Sequence, residues 1–532
     1  MDRPIRQALG STLQIAYTRL IVLTNFRTFL ATRRRQLGLA LLSGTLYFVG
    51  FCGFGQWYLS WFCLVPVLLA LDDESLTGKE ALGIAWFFGL IAHMGGYYWI
   101  TYMLHRFGFL PIPVAMLGWV LLCVAQGSLL GVWGWGIHTL RKRWNVPLWI
   151  AAAPIMILAE WLWPALFPSY LSNSQFRQIW LIQSLEIAGP LGLTGLMTFA
   201  SAVLFQAHQW KWRGDRPFPI RGAALLVALF IANLGYGIYA TDAIDKRVAA
   251  VDETVKVGLV QANMGIYEKR SAPSEGLKRH RDQSMELQWQ EADLIVWPES
   301  GYFYSIRKGT KNLKRRVMGQ LQKPLLFGGL TIENPGKDQK YFNSAYLLDG
   351  EGNVQGTYDK TYLLAFGEYI PFGDVFPWIY KLSPNTGKFT PGNHTRPIEL
   401  DGIKYGVLIC YEDILPGFVH KMMKHEPDIL VNITNDAWFG DTHEPIIHLA
   451  LATFRAVEQR RFLARSTNTG ISAFVDPAGR IMSQTPTFER ANLMADIKPL
   501  KGTTIYQNLG NWPGLASVIL LLGLIVAHRT KD

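Results

Sequence analysis

The chain has 532 residues, of which 50% are hydrophobic and 17% charged, and a formal net charge of +11. This length excludes a single ordinary domain, and the balance favours a membrane protein over a charge-rich soluble enzyme. The positive excess calls for no nucleic-acid partner, because much of it sits in short loops between apolar runs, where it reports orientation in a membrane.

In chain order, an Arg-rich segment, 1–35, leads into a full-length apolar run, so no cleavable signal is evident. Runs long enough to cross about 30 Å of hydrocarbon as helix follow near 36–54, 56–71, 81–104, 111–138, 147–167, 179–208 and 221–241, with a last one at 513–528. Eight spans are expected. Short-loop basic residues gather before the first run (Arg33, Arg34, Arg35), after the fourth (Arg141, Lys142, Arg143) and after the sixth (Lys211, Arg213, Arg216, Arg221). The rule that such residues stay inside puts these loops and both termini in the cytoplasm, and residues 243–505 on the outer face. The loop at 72–80, with only Lys79, says nothing by that rule.

Residues 243–505 have a different pattern. Short, almost continuously apolar runs (KVGLVQAN, DLIVWPES, PLLFGGLTI, YGVLICYE, DILVNITND) alternate with helix-compatible polar stretches. They read as strands covered on both faces, in an α/β domain. Cys52, Cys63 and Cys123 lie in apolar stretches, whereas Cys410 is alone in the polar half and has no partner there for a disulfide.

Three residues close apolar runs or follow them: Glu299 in WPES, Lys360 in YDKTYLLAFGEYIPFG and Cys410 in ICYE. A thiol attacks an acyl carbonyl only as thiolate, so it needs a base and a group that favours the anion; glutamate and lysine supply these. The oxyanion then needs donors, for which Lys360 and the backbone N–H of Tyr411 are candidates. Taken singly, each residue has an ordinary structural explanation.

Together, the strings WPES, FGEYIPFG, ICYE, NDAWFG and NTGISA, in this order and flanked by apolar runs, resemble the membrane-embedded branch of the nitrilase superfamily, the apolipoprotein N-acyltransferases. The resemblance covers nearly the whole chain. It implies a polytopic helical membrane domain and an α/β nitrilase-like α-β-β-α sandwich, divided as 1–35 (cytoplasmic segment), 36–242 (seven spans), 243–505 (periplasmic catalytic domain) and 506–532 (final span and tail). The implied reaction moves a fatty acyl chain from a phospholipid to the amino group of the diacylglyceryl-modified N-terminal cysteine of an apolipoprotein, in a bacterial inner membrane. By motif, Glu299 takes the place of the general base, Lys360 of the lysine and Cys410 of the nucleophile that becomes a thioester, with Glu368, Tyr411 and Glu412 supporting them. No cofactor and no metal are implied.

The chain departs from the family's pattern at Arg270, at Ala365 before FGE, and in THEPIIH, where Glu444 and Ile447 interrupt the usual continuation of NDAWFG. His443, Glu444 and His448 have ligand chemistry but not a HExxH spacing. Asn435, Asp436, Trp438 and Phe439 either line the pocket or pack the end of the sheet. Glu160 and Glu186, within apolar runs, need partners or water. The competing functions are a membrane-anchored amidase or nitrilase-type hydrolase using the same three residues, and a non-catalytic scaffold. The aromatic stretch 366–380 suits acyl chains or an interface.

Overall fold

The structure is a computed structural model that describes residues 29–214, 217–336, 338–381 and 386–529. Most of the expected segment 1–35 therefore lies outside the described residues.

Among the described residues, three helices are long and apolar enough to cross a membrane: Ile112–Trp144, Leu185–Trp212 and Ile220–Ala249. Other expected runs are shorter or broken. The run at 56–71 forms a 3-10 turn, Trp57–Trp61, and a short helix, Val65–Leu71, which at 1.5 Å per residue covers only part of a bilayer's thickness. Tertiary partners stabilise this break: Gln175 donates to the Trp57 carbonyl at 3.0 Å and accepts from the Trp61 indole at 3.1 Å, while Ser201 donates to the Trp61 carbonyl at 2.8 Å. With its backbone groups satisfied from neighbours, the segment has no need of a continuous helix. The run at 81–104 divides into Gly78–Gly96 and Trp99–Arg106. The helix expected to end near 241 runs on to Ala249.

Helix Gly78–Gly96 lies between Arg34–Gly50 and Ile112–Trp144, and Leu148–Leu162 packs on Leu185–Arg213 and on the last helix, Trp512–Arg529. One end of this bundle is polar. Arg33 pairs with Glu80 at 2.8 Å and Asp73 at 3.4 Å, Arg141 pairs with Asp72 at 2.9 Å, and Gln209 also bonds Asp72. The loop at 72–80 thus shares an end with two of the three basic clusters through its acidic residues, which the Lys/Arg rule ignores.

The C-terminal region is built on two sheets. The strands are β1 (Val255–Gln261), β2 (Leu294–Val296), β3 (Tyr302–Arg307), β4 (Leu325–Glu333), β5 (Lys340–Leu348), β6 (Val354–Asp359), β7 (Ile398–Leu400), β8 (Ile403–Ile409), β9 (Ile429–Thr434), β10 (Leu463–Thr467), β11 (Ala473–Val475), β12 (Ile481–Gln484) and β13 (Ala491–Ile497). One sheet has the order β13-β1-β2-β4-β5-β6, with β3 paired to β4; the other runs β12-β11-β10-β9-β8-β7. Their central strands, β1-β2-β4 and β8-β9-β10, are parallel. The side-chain period of two assigns the layers. Val257, Leu259, Leu294, Val296 and Leu326 join Val407, Ile409, Val431 and Ile433 in the core between the sheets, while Val260, Ile295, Trp297 and Phe327 face outward with Leu287 of helix Pro273–Trp289. Helices Pro416–Met423 and Glu444–Gln459 cover the second sheet through Phe418, Met422, Leu449 and Ala452. The result is the expected α-β-β-α layering.

The two regions are joined by ions. Glu186 in helix Leu185–Arg213 pairs with Arg460 and accepts from Tyr236 at 2.7 Å. The carboxylate expected to need a partner inside an apolar run thus ties two helices to the α/β domain. Glu160 accepts from the Leu171 N–H at 2.9 Å.

Candidate active site

Glu299, Lys360 and Cys410 each lie just past the C-terminal end of a strand, β2, β6 and β8 respectively. Parallel strands whose faces are both covered leave their ends as the place where polar side chains can meet. Gly328 in β4 makes the Glu299 turn possible, since a Cβ there would stand 2.7 Å from the Glu299 Cα. The β5–β6 register, with Ser344 opposite Asp359, sets Lys360 beside Asn343, whose carbonyl accepts the Lys360 N–H at 2.7 Å. Cys410 begins a 3-10 turn, Cys410–Ile414, with φ +53°. A left-handed non-glycine residue is strained, by about 1–3 kcal/mol, and here it turns the thiol away from the strand line.

All three side chains are buried. The Lys360 ammonium lies 2.8 Å from Glu368 Oε2 and 3.7 Å from Glu299 Oε1. The Asn343 amide donates to Glu299 at 2.7 Å and to Glu368 at 2.9 Å. Burial works against the Lys360 charge, but Glu368 and Glu299 overcome it and hold the ammonium above its ordinary range. Burial pushes Glu299 up, against Lys360, which favours its anion. Burial and then Glu299 push the Cys410 thiol well up, while Lys360 and a hydrogen bond with Thr434 pull it down. The resting site is therefore a thiol beside a carboxylate of raised basicity and a fixed cation.

The other expected supporting residues divide by role. Glu412 accepts from Tyr358 at 2.8 Å, from the N–H groups of Thr361 at 2.8 Å and Tyr362 at 3.0 Å, and from Ile409 at 2.9 Å. It ties the Lys360 loop to the strand that ends at Cys410. The Tyr411 side chain turns to the helical region, where its hydroxyl donates to the Leu166 carbonyl and its ring meets Phe167. Glu368 is in direct contact with Lys360.

Cys410 opens on a pocket lined on one side by Tyr97, Trp99 and Phe167 from the helical region, and on the other by Leu364, Phe439, Glu444 and His448. Of the NDAWFG residues, Phe439 lines this pocket and packs on Trp99, whereas Trp438 packs on Phe107. The considered trio His443, Glu444 and His448 does not assemble, because His443 stacks on Phe54 and bonds Tyr98. Asp436, Glu444 and His448 converge instead. His448 is unsuited to ligate a metal, since its Nε2 meets Asp413 at 2.9 Å and its Nδ1 meets Asp436 at 3.1 Å. Burial and Arg465 lower its basicity, but the two aspartates hold its pKa up at about 10, so it is an imidazolium at neutral pH. Arg465 completes a quartet, at 2.7 Å from Asp413 and 3.2 Å from Asp436.

Several of these residues escape sequence reasoning. Asn343, Thr434, Asp413 and Arg465 sit inside apolar strands or turns with no spacing that marks them. Lys269 is another: burial lowers its pKa to about 8, and Glu299 opposes that shift. Arg270 is in the helix Ile266–Ser271, and its side chain lies outside the described residues. The loop at 366–380 exposes Phe366, Phe372 (76% exposed), Phe376 and Trp378.

The carbon-nitrogen hydrolase family model matches residues 256–505, and that of the apolipoprotein N-acyltransferase N-terminal domain matches residues 43–203. An apolipoprotein N-acyltransferase from Geobacter metallireducens is 30% identical across 95% of this chain and 97% of its own length. The chain belongs to the apolipoprotein N-acyltransferase family. Another member of the family, from Bdellovibrio bacteriovorus, is 31% identical over 92% of this chain and 93% of its own. Among solved structures, Saccharomyces cerevisiae Nit3, a member of branch 10 of the nitrilase superfamily, is similar over 47% of this chain and 92% of its own, at 19% identity and a TM-score of 0.36.

Proposed function

We propose that the Cys410 cluster carries this family's reaction, N-acylation of an apolipoprotein, by a ping-pong route through a Cys410 thioester. Glu299 takes the thiol proton as Cys410 attacks a phospholipid ester. Lys360 and the N–H of Tyr411, in the first turn of the 3-10 segment and so without an acceptor inside it, meet the oxyanion. The proton on Glu299 then passes to the departing lysophospholipid oxygen. In the second half-reaction the α-amine of diacylglyceryl-cysteine attacks the thioester and forms the amide.

The observation that carries this reading over the hydrolase is the pocket itself. A nucleophile that faces Tyr97, Trp99 and Phe167 of the helical region is placed for a lipid acyl chain, for which a small-amide hydrolase has no use. A dry wall also shields a thioester from water until the amine arrives.

The full-length protein incubated with phospholipid should accumulate an acyl adduct on Cys410, seen by mass analysis of that peptide. Adding a diacylglyceryl-cysteine peptide should discharge it onto the α-amine, with lysophospholipid in matching amount. Free fatty acid as the dominant product with the peptide in excess would overturn the reading.

We further propose a multi-pass chain of eight spans in a bacterial inner membrane, with residues 243–505 in the periplasm and the remaining segments divided as expected from the sequence. The clustering of Arg33, Arg141 and the 72–80 loop at one end of the bundle supports that side as cytoplasmic. A reporter active only outside the cytoplasm should work when fused after Lys256 and fail after Arg143; the reverse pattern would invert the orientation.

A further inference from the structure

Glu444 has a place in the Cys410 pocket that the family's motif does not account for. Its side chain is 9% exposed, and its Oε2 has no hydrogen-bond partner among the described residues. Its Oε1 lies 3.8 Å from His448 Nδ1, a nitrogen that Asp436 already holds at 3.1 Å. The charges around it are otherwise in balance. Asp413 and Asp436 carry two negative charges, and Arg465 and the His448 imidazolium carry two positive ones, joined by four contacts of 2.7–3.2 Å. Glu444 is the fifth group, a carboxyl in surplus. At the start of helix Glu444–Gln459 it gains from the helix dipole, but an exposed carboxylate would gain as much. That benefit does not explain a buried oxygen without a donor in the wall of the pocket that holds the nucleophile.

An acceptor α-amine supplies what is missing. With an ordinary pKa of about 7.7–8.0, it arrives as a cation with N–H donors, and it cannot attack a thioester until it loses a proton. We infer that Glu444 is the acceptor-binding carboxylate, which holds the α-ammonium of the incoming lipidated cysteine in the pocket and removes its first proton. This rests on the acyltransferase reading above. Burial, and Asp436 after it, push the Glu444 pKa well up; the ammonium seating beside it favours the anion, so Glu444 gives its own proton to solvent on binding and is then a stronger base toward that ammonium.

In the step, a proton moves from the ammonium to the Glu444 carboxylate. The freed nitrogen lone pair forms a bond to the thioester carbonyl carbon. The carbon–sulfur bond then breaks and its electron pair leaves with Cys410. The nitrogen's surplus proton passes to the Glu299 carboxylate and from there to the Cys410 sulfur, restoring the thiol. Glu444 releases its proton to solvent.

The test separates the half-reactions in the full-length protein. Acyl-Cys410 is formed from phospholipid, and its discharge by a diacylglyceryl-cysteine peptide is timed for the unaltered chain and for Glu444→Gln. Discharge should slow about 30-fold or more, and far more than acylation does. Two unreactive probes give a second readout as competitors of discharge: the peptide with an α-dimethylammonium group and the peptide with an α-methoxy group. The unaltered chain should prefer the cationic probe about 30-fold, and Glu444→Gln should show little preference. Equal discharge rates, or slowing of both half-reactions by the same factor, would overturn the assignment. Equal inhibition of the unaltered chain by the two probes would also overturn it, even if the variant does not fold. Discharge of the unaltered acyl-enzyme to water regardless of peptide would remove the acyltransferase reading as well, whereas peptide-dependent discharge without probe preference removes the Glu444 assignment alone.

Discussion

Two buried charge clusters flank Cys410, made of similar groups and arranged to opposite ends. In one, the single ammonium of Lys360 is shared by Glu299 and Glu368 at unequal distances, 3.7 and 2.8 Å. In the other, Arg465 and His448 each bridge Asp413 and Asp436, at 2.7–3.2 Å throughout. The first has more carboxyls than its lysine can neutralise, and its loosest contact is to Glu299, so a proton can be exchanged there at low cost. The second is neutral and closed, and moving a proton would leave an uncompensated charge in a low-dielectric interior. The contrast teaches that buried charges differ less by their number than by whether they balance, and it is the unbalanced set that leaves a carboxylate free to exchange a proton.

Replacing Cys410 is the strongest test of that contrast. Cys410→Ala should show no acyl adduct by mass analysis, because Cys52, Cys63 and Cys123 are buried in the helical region; an adduct on any of them would break the assignment. Glu299→Gln keeps the shape of the loose cluster and removes its movable charge. Acylation should slow by about 10²–10⁴, and near-normal rates would place the base elsewhere.

The closed cluster should answer in stability. Arg465→Met leaves two buried aspartates facing one imidazolium and should cost about 3–5 kcal/mol, read as a lowered unfolding midpoint in detergent. A normal midpoint with a lost rate would mean that this cluster too is chemical. Its pH dependence has a definite sign: His448 titrates at about 10 when folded and near 6.5 when unfolded. Its contribution is thus complete below 6.5 and is lost as pH rises through 10, so the midpoint should fall over that window.

The smallest effect belongs to Asn343, which donates to both carboxylates of the loose cluster. Burial raises Glu299, so activity should be present above its raised pKa and lost as pH falls through it, at a higher pH than for an exposed glutamate. Asn343→Leu removes a donor that favours the anion and should move this acid limb of kcat/KM further up. A limb that stays in place would remove Glu299 as its origin.

How far each feature is legible depends on the range of the interactions behind it. The strands KVGLVQAN, DLIVWPES, PLLFGGLTI, YGVLICYE and DILVNITND follow from short-range patterning and are found as β1, β2, β4, β8 and β9. The closing residues Glu299 and Cys410 could be singled out because a reactive group after a buried strand stands out locally. Asp413 and Arg465 could not be, and Asp436 and His448 could be named but not joined to them, since the four come from a turn, a second turn, a helix and a strand, and acquire meaning only as a neutral set.

Hydrophobic periodicity and chain direction are local properties, and they suffice to place the strands, the apolar runs and the residues at strand ends. Where apolar runs stop being helix, as at Trp57–Trp61, is set by the assembled fold, in which Gln175 and Ser201 hold that turn open. The fold also sets Glu444 rather than His443 in the wall of the Cys410 pocket. Both outcomes depend on hydrogen bonds and charges supplied by residues remote along the chain, and no local pattern encodes which distant donor will arrive.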